Sequence, residues 1–268
     1  MNQHRRAKMK ITADDGGEVQ LHDDLTEADL REELAAAYRI AYMLGMDYLI
    51  YNHISVRVPG PEKHFLINPL GLSYDEITAS NLIKIDIDGN VVGGNSDVSV
   101  NFAGFLIHGA IHEASPDLHC IMHTHTEAGM ALAGLQAELL PVSQHGMMFY
   151  GRVGYHDYEG IVSQIEERER LLFDMGGNPA LILRNHGLLT AAPTIAGAVV
   201  LMIVLDRACR AQLNMHQSNQ PLIIPSPEIC ELTATQYWKG AIPPASFGQE
   251  AFGALKRRLD RLDDSYKR

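Results

Sequence analysis

Two short histidine motifs hold the residues best suited to chemistry in this chain. His123-Thr124-His125 is entered through the apolar run Leu118 to Met122, and Arg184-Asn185-His186-Gly187 follows a second such run, Ala180-Leu181-Ile182-Leu183. If the first run is a strand that continues through the pair, side chains at i and i+2 point to one face, so His123 and His125 can converge on one cation. Two imidazoles alone do not hold a divalent ion tightly, and an isolated His-x-His is as readily a buried hydrogen-bonded pair. His186 shifts that balance, because it follows another strand-like run and precedes Gly187, where the backbone can turn tightly. Three histidines at two strand ends suit a catalytic zinc-type site with a position open to water or substrate.

The elements that must position them are legible from periodicity. Thr26, with Asp29 three residues later, has the form of an acidic capping box, and Leu30, Leu34, Ala37, Ile40, Ala41 and Leu44 then recur at helical spacing up to Gly45. From Asn52 the period becomes two, ending at Pro59-Gly60-Pro61. Further strands are expected over 64–68 and 82–87, with Asp88-Gly89 turning into Val91-Val92, which makes an antiparallel meander. Helices are expected over 102–114, 127–135, 163–173, from Thr194 to about His216, and from Phe247 to about Asp264. Residues 142–148 read as extended, and the proline-punctuated stretch after Pro221 reads as irregular. His108 and His112, one helical turn apart on the helix over 102–114, read as core residues. Helices before, between and after short strands imply a sheet covered on both faces: an α/β protein, a three-layer α/β/α sandwich with a mainly antiparallel central sheet.

Composition narrows the function classes. In 268 residues, 46% are hydrophobic, enough for the core of one large domain; residues 1–24 are polar and aperiodic and read as a mobile tail, 25–268 as a single domain with a C-terminal extension from about 217. A formal charge of -11 argues against nucleic acid or an anionic membrane as the main partner, since either needs a basic face. Small molecules and protein subunits remain. Cys120, Cys209 and Cys230 lack Cys-x-x-Cys spacing and read as reduced core residues; no apolar run is long enough to span a bilayer, so a soluble cytoplasmic protein is expected.

Asn52-His53-Ile54-Ser55, Asn68-Pro69-Leu70-Gly71, His123-Thr124-His125 and Asn185-His186-Gly187, with Tyr155-His156-Asp157-Tyr158-Glu159-Gly160 between the histidine motifs, occur in the order and spacing of the class II aldolase/adducin family. The resemblance runs from Thr26 to Met215. It implies a divalent metal, usually zinc, with manganese, iron or cobalt also accepted by imidazole, held by His123, His125 and His186. It also implies an enediolate-like oxyanion stabilised by that metal, and a homotetramer with active sites at subunit interfaces. Asn52, Ser55, Asn68 and Gly71 become substrate-contact candidates by the same comparison.

The departures matter as much. The family's sugar-phosphate enzymes carry a Pro-Ser-Ser-acid motif before the helix that precedes the histidine pair; here the stretch is Asn101-Phe102-Ala103-Gly104. The acid is absent, and neither Phe102 nor Ala103 can hydrogen-bond a phosphate oxygen through its side chain; Leu70 likewise stands where a hydroxyl is usual. Phosphate needs several donors at once, so a non-phosphorylated hydroxy- or oxo-acid is the expected substrate, cleaved by an aldol reaction or decarboxylated. The pattern is similar to the adducin-like branch of the family. His145, in a region where the family's aldolases place a tyrosine that reaches a neighbouring site, is the first candidate to move the proton, with Tyr155 and Tyr158 behind it. Tyr237 or Trp238 would complete a neighbouring subunit's pocket. The alternatives are an adducin-like oligomeric interaction module without chemistry, and a three-histidine iron oxygenase.

Overall fold

The computed structural model describes residues 22–93, 99–160, 166–238 and 243–268. Most of the expected tail, 1–21, lies outside these, whereas His22–Asp24 forms a single 3-10 turn with His22 buried. Helix α1 (Glu27–Met43) starts on the anticipated capping box: Thr26 accepts from the Asp29 backbone N–H, and the Asp29 carboxylate accepts from Thr26 N at 2.9 Å. Such a cap contributes about 1 kcal/mol. Leu30, Leu34, Ala37 and Ile40 are fully buried on its inner face.

The meander follows as β1 (His53–Arg57), β2 (Phe65–Ile67), β3 (Ile83–Ile85) and β4 (Val91–Gly93). Then come α2 (Phe102–Ala114), β5 (Cys120–Thr124), α3 (Glu127–Ala133), α4 (Gln144–Met148), β6 (Val153–His156), α5 (Glu166–Met175), β7 (Ala180–Leu183), β8 (Gly187–Ala192), α6 (Ile195–Gln217), α7 (Pro227–Tyr237) and α8 (Gln249–Leu262). The strands form one eight-stranded sheet in the order β4-β3-β2-β1-β5-β8-β7-β6. All neighbours are antiparallel except β6 and β7.

The sheet is covered on both faces, as expected. On one side Cys120, Met122, Leu188 and Ala192 join a core with α1, α3, α6 and α8; on the other Ile121, Leu181 and Leu189 pack with Ile107 and Ile111 of α2 and Leu171 of α5. The period of two thus assigns alternate residues of the central strands to two cores. His53 and His123, paired directly across β1 and β5, fall on the α2 side.

Four elements differ from the expectation. Residues 142–148 are not extended: the Ser143 hydroxyl accepts from Gly146 N and caps the short helix α4. Strand β8, buried at every residue, carries no alternation to betray it. Strand β6 is a parallel edge partner of β7 and pairs four residues only. Helix α7 begins with Pro227 in its first turn after Ser226, so a proline taken as a breaker is an initiator. Of the helix expected over 163–173, residues 163–165 lie outside the described ones. The C-terminal segment packs on the body: Trp238 is buried, its indole N–H donating to the Met148 carbonyl at 2.6 Å, and Tyr266 is buried beyond α8.

Candidate metal centre and its cavity

His123 lies in β5 and His125 just past its end, so the pair straddles the end of the strand; their Nε2 atoms nevertheless converge to 2.8 Å. His186 comes from the β7–β8 hairpin, where Leu183 pairs with Gly187 across a three-residue turn. The turn is made by Asn185, whose φ of 57° is left-handed, a conformation asparagine tolerates better than most residues. Gly187 is needed for a different reason than turning: a Cβ there would lie 2.5 Å from the Thr124 carbonyl oxygen and 3.0 Å from the His125 ring. Only a bare Cα lets the hairpin bring His186 alongside the pair.

The three ring centroids are 4.7, 4.7 and 4.8 Å apart, and one ligand atom from each ring lies within 4.8 Å of the others. His123 Nδ1 is 2.9 Å from the Leu188 carbonyl, to which it donates. That bond fixes the tautomer and leaves Nε2 as a lone pair, the usual outer-sphere arrangement of a ligating histidine. Burial, then the neighbouring His186, His53 and His125, pushes the His123 pKa well below the usual imidazole range; burial and then His125 push His186 down to about 4. Neutral imidazoles with converging lone pairs are the form a divalent cation binds, and ligands ~3.3 Å apart suit a tetrahedral ion at ~2.0 Å from each nitrogen. The 2.8 Å approach of His123 and His125 needs a small widening, and separations toward the 4.8 Å bound need to close by up to ~1.5 Å, which side-chain rotation of His125 and His186 at the strand ends supplies. The donor set fits the metal.

The histidines open into a cavity of about 550 Å³. Its walls are largely aromatic and apolar, with Tyr48, Tyr51, Met130 and Tyr158 partly exposed around it. Among the described residues lining it there is no Lys or Arg. His53, Asn101, Gly104, Gly160 and Asn185 supply the remaining polar or bare surface among the described residues.

The other site expectations separate. Tyr158 lines the cavity, its ring 6.4 Å from that of His186. Tyr155 does not: its hydroxyl accepts from Leu139 N and the Arg184 guanidinium covers its ring at 4.6 Å, so it braces the loop around 139 instead. His145 is exposed on α4 and outside the cavity of this chain. Tyr237 accepts from Gln144 and Trp238 is in the core, neither of them at the cavity.

Asn52 is buried and donates to the Met46 carbonyl. Ser55 is fully buried between His108 and His112 and does not line the cavity. Asn68 Oδ1 sits 2.8 Å from the Tyr38 hydroxyl, and Gly71 is exposed outside the cavity. These four were reached through motif position; the tertiary structure uses the first three to hold β1 and β2 in place. The residue the sequence did not single out is His53, which lies between two of them and lines the cavity beside His123, ring centroids 5.1 Å apart. The i, i+2 relation to Ser55 on one strand was the available signal.

Comparison with known proteins finds relatives over most of the chain. Residues 32–213 match the class II aldolase and adducin N-terminal domain. An aldolase II superfamily protein from Pseudomonas syringae superposes with a TM-score of 0.85 at 43% identity, covering 91% of this chain and 96% of that one. L-fuculose 1-phosphate aldolase from Glaciozyma antarctica does so with a TM-score of 0.80 at 31% identity, covering 90% and 93%. Alpha-adducin of Rattus norvegicus is 39% identical over 252 residues, 89% of this chain but 34% of the longer adducin. The chain belongs to the class II aldolase and adducin family.

Proposed function

We propose that the protein is a metal-dependent lyase of the class II aldolase type, acting on a small non-phosphorylated hydroxy- or oxo-acid by aldol cleavage or decarboxylation. The observation that carries this is the convergence of three neutral imidazoles at the floor of a cavity that has no cationic side chain among its described lining residues. His123, His125 and His186 hold the ion, zinc in preference to manganese, iron or cobalt. Bound there, a divalent cation polarises a carbonyl or hydroxyl oxygen and offsets the charge that develops on it. Tyr48, Tyr51 and Tyr158 offer aromatic surface to a substrate at the cavity, and the Tyr158 hydroxyl is the proton donor within this chain. His145 contributes only by facing a neighbouring subunit's cavity, in a homotetramer with interfacial sites.

Metal analysis of protein purified without chelator or nickel tests the reading. Near one equivalent of metal per subunit, lost in His123→Ala, is expected; metal well below one equivalent and unchanged by that substitution overturns it. The match to alpha-adducin favours a second reading, an oligomeric interaction module. It predicts assembly that survives His123→Ala together with no metal in the wild type.

A further inference from the structure

The cavity over the histidines carries three tyrosine rings left half open. Tyr48, Tyr51 and Tyr158 line it and remain 45, 49 and 53% exposed. By contrast, Tyr38, Tyr155 and Tyr266 are committed to internal contacts: the first bonds Asn68, the second bonds Leu139 under the Arg184 guanidinium, and the third donates to Asp260.

The placement of the open rings is specific. Tyr48 lies beside His125, ring centroids 5.7 Å apart, and Tyr51 extends from Tyr48 at 6.2 Å; Tyr158 lies beside His186 at 6.4 Å. Two of the three candidate metal ligands are thus each flanked by a tyrosine. The turn that bears the first pair is held under constraint. Tyr51 N–H donates to the Tyr48 carbonyl at 3.1 Å, the Asn101 side chain donates to the Tyr51 carbonyl at 3.3 Å, and Leu49 between the tyrosines has a φ of 50°. A left-handed backbone is unfavourable for leucine, which has no polar side chain to ease it by local hydrogen bonding. Burial of the leucine does not compensate, since Leu49 is 62% exposed. What the conformation achieves is two tyrosine rings side by side at the cavity.

Size and charge narrow what fits there. A cavity of about 550 Å³ is in the range that encloses ring-sized ligands, and a three-carbon acid would leave most of it empty. With no Lys or Arg among the described lining residues, a second anionic group would find no partner, so the part of the ligand away from the histidines is neutral. Met130, also at the wall, adds a thioether of the kind that packs against ring edges. Aromatic pairs are favoured at centroid separations of about 4.5–7 Å, beyond the area they bury, so a flat neutral group gains more from these walls than a puckered one.

We infer that the substrate is an aryl-substituted hydroxy- or oxo-acid, its acid end at His123, His125 and His186 and its ring packed against Tyr48, Tyr51 and Tyr158. The acid end rests on the lyase reading above; the ring site rests on the walls alone. Tyr48 and Tyr51 are then specificity-determining residues, and the strained turn at Leu49 is the device that presents them.

Calorimetric titration of the zinc-treated full chain with three racemic hydroxy-acids of one head group tests this: lactate, 3-cyclohexyllactate and 3-phenyllactate. The phenyl ligand should bind about 10-fold or more tighter than lactate, from the apolar area removed from water. It should bind about 2- to 10-fold tighter than the cyclohexyl ligand, from ring-on-ring geometry. Equal affinity for 3-phenyllactate and lactate, a cyclohexyl ligand that binds as tightly as the phenyl one, or no binding of 3-phenyllactate at millimolar concentration overturns the inference. Tyr48→Leu and Tyr51→Leu keep apolar bulk and remove a ring face, so each should lower the phenyllactate-to-lactate affinity ratio by about 2- to 10-fold, with buried Trp238 emission as the check on folding. An unchanged ratio in both folded variants overturns the placement of the ring at these walls. Failure of the lyase reading is seen separately: a wild type without metal that still prefers the phenyl ligand refutes that reading and keeps this one, whereas a metal-loaded protein indifferent to the ring does the reverse.

Discussion

Gly104 and His53 are interlocked: the imidazole of one fills the space where the other would carry its Cβ, which would meet Nε2 at 2.0 Å. The missing acid noted in the sequence at position 104 is therefore coupled to a histidine that enters from a neighbouring strand. Gly104→Ala should push His53 off His108 and destabilise the fold by about 1–3 kcal/mol, the usual cost of overpacking combined with a broken buried hydrogen bond. Adding His53→Ala should recover part of that loss. Urea unfolding of the two single variants and the double variant checks it; strictly additive effects would show that the two positions are independent.

Metal should stabilise the native chain by mass action. At a zinc concentration 100-fold above Kd the gain is about 2.7 kcal/mol, visible as a rise in Tm that chelator reverses. His123→Ala, His125→Ala and His186→Ala should each abolish the rise. A zinc response that persists in all three variants would place the ion elsewhere.

Gly187→Ala tests the hairpin that carries His186. Its Cβ would strike the Thr124 carbonyl at 2.5 Å and press on the His125 ring at 3.0 Å. Backbone on one side and a candidate ligand on the other leave little room to yield, so a loss of about 1–3 kcal/mol and weaker zinc binding are expected together. Calorimetric titration with zinc measures the second effect, and native-like affinity would remove the steric argument.

The buried histidines outside the metal centre make stability fall in acid. Burial, then His119, holds His22 down at about 3, and burial followed by Arg57 holds His112 well below the imidazole range. Because both folded-state values lie below the unfolded one, the unfolded chain binds its protons first as pH drops. Their contribution is complete above ~6.5 and is lost toward lower pH, each ring removing about 1.4 kcal/mol per pH unit. Urea midpoints at pH 7.5 and pH 5 should differ accordingly, and equal midpoints would contradict the buried neutral state of both.

Trp238, the single tryptophan, reports on the C-terminal segment. Its indole N–H donates to Met148 and its ring stacks near Phe247 at 6.2 Å. A blue-shifted emission poorly quenched by acrylamide is expected. Trp238→Phe leaves the Met148 carbonyl without this donor and should cost about 1–3 kcal/mol. Emission like that of free indole would mean that the segment is not docked.

The sequence by itself determined the elements whose pattern is local: the capping box of Thr26 and Asp29, the alternation of Ile54 and Val56, the helix Phe102–Ala114, and the two apolar runs that end at metal-candidate histidines. Periodicity and side-chain chemistry within a few residues suffice for these. It did not reveal β8, where burial on both faces erases alternation, or α7, where a proline at a helix start reads as a break. Above all it did not tell Ser55 from His53. Motif position made both Asn52 and Ser55 contact candidates, yet the strand's pleat turns Ser55 into the core against α2, and only the packing of β1 on α2 shows that His53 reaches the cavity through the gap at Gly104. That relation joins residues fifty-one positions apart in sequence, and no local propensity encodes it.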